Sequence, residues 1–287
     1  MTPFIKTFFD KATCNATHLV ADAAAGVCAV VDPVLGYDPA SGRTNRRAAD
    51  EIVDCIEKAG WSLEWILETH VHADHLTGAP CLKDRLGGRT AIGARVAEVQ
   101  AYFGTVFNVE TGFATDGSQF DRLFVDGETF SIGAVDGRVL YTPGHTPACA
   151  VYVIGDAVFT GDTLFMPDSG TARCDFPGGS ARTLYRSIRT ILSLPPETRV
   201  FVCHDYGADG KRPHAWETTV AEQRAANIHV KDGIGEDQFV AMREARDRTL
   251  SMPTLILPSI QVNMRAGHLP PPEENGTCYL KIPVDVL

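Results

Sequence analysis

Residues 70 to 75 read His-Val-His-Ala-Asp-His, four metal-ligating side chains in six positions. They follow Trp65 to Glu68, a short run with the composition of a strand. Side chains two apart on an extended segment point the same way, so His70 and His72 can face one point. A turn after Ala73 would bring Asp74 and His75 back towards it. Neutral imidazole nitrogen suits zinc, iron, copper or nickel, whereas calcium and magnesium require mostly oxygen. The chemistry on offer is that of a transition metal, which polarises a substrate or activates a small oxygen species.

Three more segments repeat the form of an apolar run ending in one ligand-type residue. Leu140-Tyr141-Thr142-Pro143-Gly144 leads to His145, Val158-Phe159-Thr160-Gly161 to Asp162, and Phe201-Val202-Cys203 to His204. Singly, each suits an ordinary turn or a satisfied half-buried histidine. As a set they suit convergence, because strand ends gather along one edge of a sheet.

The elements that must carry these residues are legible from periodicity. His18 to Ala21 and Val27 to Val31 form a predicted hairpin about the Ala/Gly turn at Ala23 to Gly26. Ala48, Ile52, Cys55, Ile56 and Ala59 repeat at helical spacing over Asn45 to Ala59, with Gly60 as the stop. Gly87 to Ile92 predicts a strand and Arg95 to Phe103 a helix, followed by a polar segment through Asp121. Val139 to Tyr141, Ala150 to Ile154 and Ala157 to Thr160 predict strands, the last two joined by Gly155-Asp156. Ala181 to Leu194 predicts a helix halted by Pro195-Pro196, and Val200 to Cys203 a strand. Helical patterns are expected over Trp216 to Asn227 and Glu236 to Thr249, and a last short strand over Cys278 to Ile282. Strands, then helices, then strands again fit an α/β protein of two layered sheets with helices outside. The expected division is one catalytic domain over residues 1–230 and a C-terminal extension, 231–287, packed on it. Met252 and Met264 are expected in the core.

Composition bounds the function. The 287 residues are 44% hydrophobic and 22% charged, values of an ordinary globular chain rather than a disordered one. Lys plus Arg number 26 and Asp plus Glu 36, a formal charge of −10, which argues against a nucleic-acid partner held through its phosphates. No eighteen apolar residues run together, and Lys6, Asp10 and Lys11 interrupt any leader-like core, so neither a membrane span nor a secretory signal is expected. The eight cysteines never form Cys-x-x-Cys, which suits a reducing compartment and a cytoplasmic location.

HxHxDH at 70 to 75, TPGHT at 142 to 146, TGDTLF at 160 to 165 and the strand-end His204 together resemble the metallo-β-lactamase superfamily. That resemblance implies a four-layer αββα sandwich with its metal site at the sheet edge. Its binuclear hydrolase branch implies His70, His72 and His145 on one zinc, Asp74, His75 and His204 on a second, and Asp162 between the two Zn2+ ions.

The persulfide dioxygenase branch implies one Fe(2+) per chain on His70, His145 and Asp162, with His72, Asp74, His75 and His204 orienting those ligands. Gly170-Thr171-Ala172-Arg173-Cys174-Asp175-Phe176 resembles the Gly-Arg-Thr-Asp-Phe stretch of this second branch, with Cys174 in place of threonine. His204-Asp205-Tyr206, Thr219 to Arg224 with Asn227, and Asn263-Met264-Arg265 extend the similarity. The implied activity is oxidation of glutathione persulfide by O2 to sulfite and glutathione. The alternative is a glyoxalase II-type hydrolase of glutathione thioesters. Arg173 and Asp175, with Tyr206 and Arg265, are the residues expected around the substrate, Arg173 offering its fork to a glutathione carboxylate. The branch also suggests a homodimer or higher homo-oligomer.

Overall fold

The computed structural model describes residues 1–286. Its first half contains β1 (Phe4–Asp10), β2 (Asn15–Asp22), β3 (Val27–Val31), β4 (Val34–Asp38), β5 (Arg43–Asn45), α1 (Arg47–Ala59) and β6 (Ser62–Leu67). There follow β7 (Leu76–Thr77), α2 (Ala79–Leu86), β8 (Arg89–Gly93), α3 (Val96–Val106) and β9 (Arg122–Phe124). The second half contains β10 (Thr129–Ile132), β11 (Val135–Tyr141), β12 (Ala150–Ile154), β13 (Ala157–Phe159), α4 (Ala181–Ile191) and β14 (Arg199–Phe201). It ends with α5 (Gly207–Gly210), β15 (Glu217–Thr219), α6 (Val220–Ala226), α7 (Glu236–Asp247) and α8 (Ile256–Asn263).

One six-stranded sheet runs β1-β2-β3-β6-β8-β9, a second runs β10-β11-β12-β13-β14-β15, and a small third sheet runs β5-β4-β7. Strand alternation sorts the side chains. Val20, Trp65, Leu67 and Phe124 of the first sheet meet Val139, Tyr152, Phe159 and Phe201 of the second in a dry core between the sheets. On the opposite face of the first sheet, Leu19, Val30 and Ile66 receive Ile52, Val53 and Ile56 of α1. Behind the second sheet, Val151, Val158 and Val200 receive Leu184 and Ile188 of α4 and Phe239 of α7. The result is the four-layer αββα sandwich that the motifs imply. Among the described residues no helix is long and apolar enough to cross a membrane.

Helix α1 ends at Gly60 in the left-handed conformation, and α4 begins at Ser180, whose side chain accepts from the Thr183 amide. Three readings of the sequence are corrected. Helix does not begin at Trp216: Glu217–Thr219 pairs with β14, completing that sheet, and α6 starts only after the Thr219 cap. Cys278 to Ile282 forms no strand; its backbone has no neighbouring strand, and Gln261 instead donates to the Lys281 carbonyl and accepts from its amide. Met252 is exposed, although Met264 is fully buried. Strand β1 and helix α8 lie outside the predicted elements altogether.

His18 stitches the two sheets. Its Nε2 donates to the Val202 carbonyl at 3.0 Å, and its Nδ1 accepts from the Thr7 hydroxyl at 2.9 Å. Burial pushes its pKa down from 6.5 to about 4. As pH falls, the unfolded chain therefore takes up this proton first, so the contribution is present above pH 6.5 and is lost progressively towards pH 4. Urea unfolding should show His18→Leu losing roughly 2 kcal/mol less stability than the natural chain between about pH 7.5 and 5. Equal losses in the two proteins would contradict this account.

Candidate metal centre

All four motifs fall on one edge of the sandwich. β13 and β14 run parallel, and two antiparallel pairings bring β11 into the same direction, so His145, Asp162 and His204 follow strand ends that point one way. Residues 68–75 leave β6 of the other sheet at the same edge. Two glycines make the approach feasible. Gly144 has φ +142 and its Cα lies against the α4 backbone at Leu184; Gly161 has φ +48, and a Cβ there would collide with Thr69. These turns deliver His145 and Asp162 to the histidine motif.

The donor atoms of His70, His145 and Asp162 lie within 4.8 Å of one another. Asp162 Oδ2 is 3.9 Å from His70 Nε2 and 3.6 Å from His145 Nε2. A second group brings together donors of His72, His75, Cys203 and His204. Asp74 Oδ2 approaches His204 Nε2 at 3.0 Å, and Asp162 Oδ1 reaches the same nitrogen at 3.4 Å. Asp162 thus turns one oxygen to each group.

The ring tautomers follow from what lies behind each imidazole. His145 Nδ1 donates to the Arg173 carbonyl at 2.8 Å, His75 Nδ1 to the Leu76 carbonyl at 3.2 Å and His204 Nδ1 to the Cys14 carbonyl at 3.3 Å. Thr69 spends its hydroxyl proton on Asp32 Oδ2 and so accepts from His70 Nδ1 at 3.1 Å. In its neutral form each of these four rings consequently turns an unprotonated Nε2 towards the centre. Burial, reinforced by neighbouring imidazoles, pushes the pKa of His70 and His72 well below the ordinary value. Burial disfavours charge on His204 too, but Asp74 and Asp162 outweigh it and raise its pKa.

Buried without a hydrogen-bond partner are the Nε2 atoms of His70, His75 and His204, both ring nitrogens of His72, and Asp162 Oδ1. Unmet groups of this kind cost about 1–3 kcal/mol each, and they are rare in folded proteins. A cation satisfies them together, and nitrogen-rich donors with one or two carboxylates fit a transition metal. The residues present therefore fit the group that the motifs imply.

Two residues behind the centre carry more of its geometry than the sequence alone discloses. Asp32, at φ +50, accepts from the Thr69 amide and hydroxyl, both at 2.8 Å, and its Oδ1 stands 3.0 Å from His72 Nε2, off the line of a hydrogen bond. Glu68 Oε2 lies 3.7 Å from the same nitrogen, and burial together with Asp32 holds the Glu68 carboxyl well above the usual carboxylate range. The spacing of Asp32-Pro33 marks only a strand end; the contacts of the Asp32 carboxylate with Thr69 and His72 come from folding.

The substrate-side expectations fall differently. Arg173 closes a two-pronged pair on Asp175 at 2.6 and 2.7 Å and donates to the Ser251 carbonyl at 2.6 Å. Arg265 makes the same kind of pair with Glu110, at 2.6 and 2.7 Å, and lies over Phe113. Neither fork is open to a ligand carboxylate. Tyr206 is half-exposed and parallel to the His204 ring, with centroids 6.2 Å apart. Phe176 packs edge-on to His145 at 5.2 Å. Cys174 is buried, and burial raises its thiol pKa far above the ordinary value.

Asn263 of α8 is the clamp on the histidine loop. Its amide donates to the His72 and His75 carbonyls at 2.9 and 2.7 Å, and its oxygen accepts from the Thr77 amide at 2.8 Å. Asn263→Leu keeps the size but leaves three buried backbone groups unpaired, an expected loss of about 3 kcal/mol or more. Denaturant unfolding and elemental analysis should show lower stability and weaker metal retention. An unchanged midpoint with full metal would remove Asn263 from the site's support.

The model of the metallo-beta-lactamase superfamily matches residues 16–204. A probable metallo-hydrolase of Burkholderia pseudomallei is 55% identical over 99% of both chains. A beta-lactamase hydrolase-like protein of Agrobacterium fabrum is 54% identical over 99% of this chain, which spans 65% of that longer protein. The mitochondrial persulfide dioxygenase ETHE1 of Homo sapiens is 28% identical over 92% of this chain and 88% of its own. The crystal structure of ETHE1 from Myxococcus xanthus superposes with a TM-score of 0.73 at 28% identity, covering 92% of this chain and all of that one. With the ligand motifs assembled at the edge of an αββα sandwich and the family match spanning both sheets, the chain belongs to the metallo-β-lactamase superfamily.

Proposed function

We propose that this protein is a mononuclear non-haem iron persulfide dioxygenase. The observation that carries the reading is the donor set: two imidazole nitrogens, from His70 and His145, and one carboxylate, from Asp162, within 4.8 Å of one another. Two histidines and one carboxylate with open positions are the ligand set expected of non-haem iron(II) oxygenases. The likeness to ETHE1 over nearly the whole chain supports the same reading. The net reaction is R–S–SH + O2 + H2O giving R–SH, sulfite and two protons; the family resemblance suggests glutathione persulfide as carrier.

Iron(II) on His70, His145 and Asp162 would supply the redox chemistry that joins dioxygen to the terminal sulfur. The chain's own residues do the rest. The Arg173 carbonyl and the Thr69 hydroxyl hold the His145 and His70 rings with their lone pairs inward. His204 lies between Asp74 and Asp162, where it can hold the proton released as the persulfide binds as an anion. Phe176 and Val71 keep the approach beside His145 apolar and exclude water from a reactive sulfur.

A binuclear zinc thioesterase is the second reading. It is favoured by Asp162, whose two oxygens face separate donor groups, and by the metallo-hydrolase name of the Burkholderia relative. Metal analysis of protein produced with iron and zinc both available separates the two. One iron per chain and oxygen uptake on adding glutathione persulfide are expected; two zincs, S-lactoylglutathione hydrolysis and no oxygen uptake would overturn the proposal. Asp162→Ala should lose bound iron and at least about 100-fold in turnover, since it removes the sole carboxylate of the triad. Full iron and full activity in that variant would refute the ligand assignment.

A further inference from the structure

Two loops leave the centre from the ligands Asp162 and His204, and one guanidinium joins them. Asp168 lies on the first loop, and Asp205 follows His204 directly on the second. Arg212 donates through Nε and Nη2 to Asp168, both at 2.6 Å, and through Nη1 and Nη2 to Asp205, both at 2.8 Å. A planar fork permits this double grip, whereas a point-like ammonium does not. The two loops differ in how firmly they are otherwise held. In the first, the Phe165 amide donates to the Gly170 carbonyl at 3.0 Å, Gln223 donates to the Phe165 carbonyl at 2.8 Å, and the Ile228 amide donates to the Pro167 carbonyl at 2.9 Å. In the second, Gly207, Ala208 and Gly210 have φ of +62, +49 and +79, and the amides of Lys211 and Arg212 turn back to the carbonyls of Ala208 and Gly207. The fork ties this self-closed turn to the firmer loop. Tyr206 stands in the seam, its ring parallel to that of His204 and edge-on to that of Phe165, with both centroid separations 6.2 Å. Burial, then the Asp162 and Asp74 carboxylates, raise its phenol pKa, so the hydroxyl end faces the centre while the half-exposed ring meets solvent.

We propose that Arg212 is a positioning residue for the substrate: by holding Asp168 to Asp205 it fixes Tyr206 beside the centre, and so governs how tightly a persulfide is held rather than the chemical step. The inference rests on the proposed reaction for the identity of the substrate and on the fork for the geometry. Arg212 bonds to carboxylates and to the Pro213 carbonyl, not to any donor of the triad. The donors keep their own supports without it. His204 is held from behind by the Cys14 carbonyl, His145 by the Arg173 carbonyl, and Asp162 by the turn at Gly161 packed on Thr69. Asp205 also keeps the Ala215 amide at 2.8 Å. What the fork alone secures is the turn from Tyr206 to Lys211 against the loop that carries Phe165.

Oxygen uptake with glutathione persulfide, measured on the iron-loaded enzyme, separates holding from chemistry. Arg212→Lys keeps the positive charge but not the double grip, and should raise KM about tenfold while kcat stays within about twofold and iron content is unchanged. Asp168→Ala opens one arm of the fork at the surface and leaves Asp205 paired, so it serves if the lysine variant does not fold; the same direction is expected, with KM raised about fivefold. Trypsin reads the turn without any turnover: cleavage after Lys211 should be faster in Asp168→Ala than in the natural chain. KM unmoved in both variants, a fall in kcat at constant KM, loss of iron, or cleavage at the natural rate would each overturn the proposal. Faster cleavage together with no oxygen uptake by the natural chain would support the role of the fork in holding the turn and refute the persulfide reaction.

Discussion

One buried carboxylate holds the centre in register. Asp32 follows β3 in a left-handed conformation, uncommon for a residue other than glycine, and its surroundings hold it there. Its carboxylate takes two hydrogen bonds from Thr69 and faces His72, while its carbonyl accepts from Asn15 and from Thr17 at 2.7 Å. Its amide donates to the Leu67 carbonyl at the end of β6. A single residue thus ties β2, β3 and the start of the histidine loop to each other, and the orientation of His70 passes to it through the Thr69 hydroxyl. That tie fixes where the loop after β6 begins.

The second constraint is desolvation. Four imidazoles and Asp162 converge in a region largely sealed from water, with their donor atoms unsatisfied by the protein itself. The sandwich bears this arrangement because it is otherwise well packed: a continuous apolar core lies between the sheets, and helices cover both outer faces. The histidine loop is held from two directions, by Asp32 from within the sheets and by Asn263 of α8 from outside. The same helix turns Ile256 and Ile260 towards the cavity at His145. The segment that reads as a terminal extension therefore braces the centre and shapes its approach.

Much of this was legible before folding, for physical reasons that differ from element to element. The α1 pattern is legible at Ile52 and Ile56 because a helix packed on one face must repeat near 3.6 residues, and Gly60 marks its end; Ala49 and Val53 complete the buried face. The β12–β13 hairpin is legible because Gly155-Asp156 meets a specific turn requirement. Glu217–Thr219 misleads because three residues are too few to display a period, and only pairing with β14 makes them a strand. Cys278 to Ile282 misleads in the opposite sense: it has strand-forming residues but no strand beside it. Arg173 and Arg265 have the chemistry to bind a substrate carboxylate; the partner that closes Arg173 is Asp175, two residues on in the same stretch, whereas the partner of Arg265, Glu110, is distant in the chain and no local motif announces it.

The sequence by itself determined the ligand inventory and the class of architecture. Histidines and aspartates at those spacings have few other uses, and alternation and helical periodicity are local consequences of backbone geometry. Tertiary structure alone decided which donors share a point, which ring nitrogen each histidine presents, and which charged residues remain free to meet a substrate. Those outcomes depend on contacts between residues distant in the chain, such as Asp32 with Thr69, His145 with Arg173 and Asn263 with His72. An apolar cavity next to a metal-ready triad is likewise a property of surfaces brought together from five separate segments, and no single stretch of the chain encodes it.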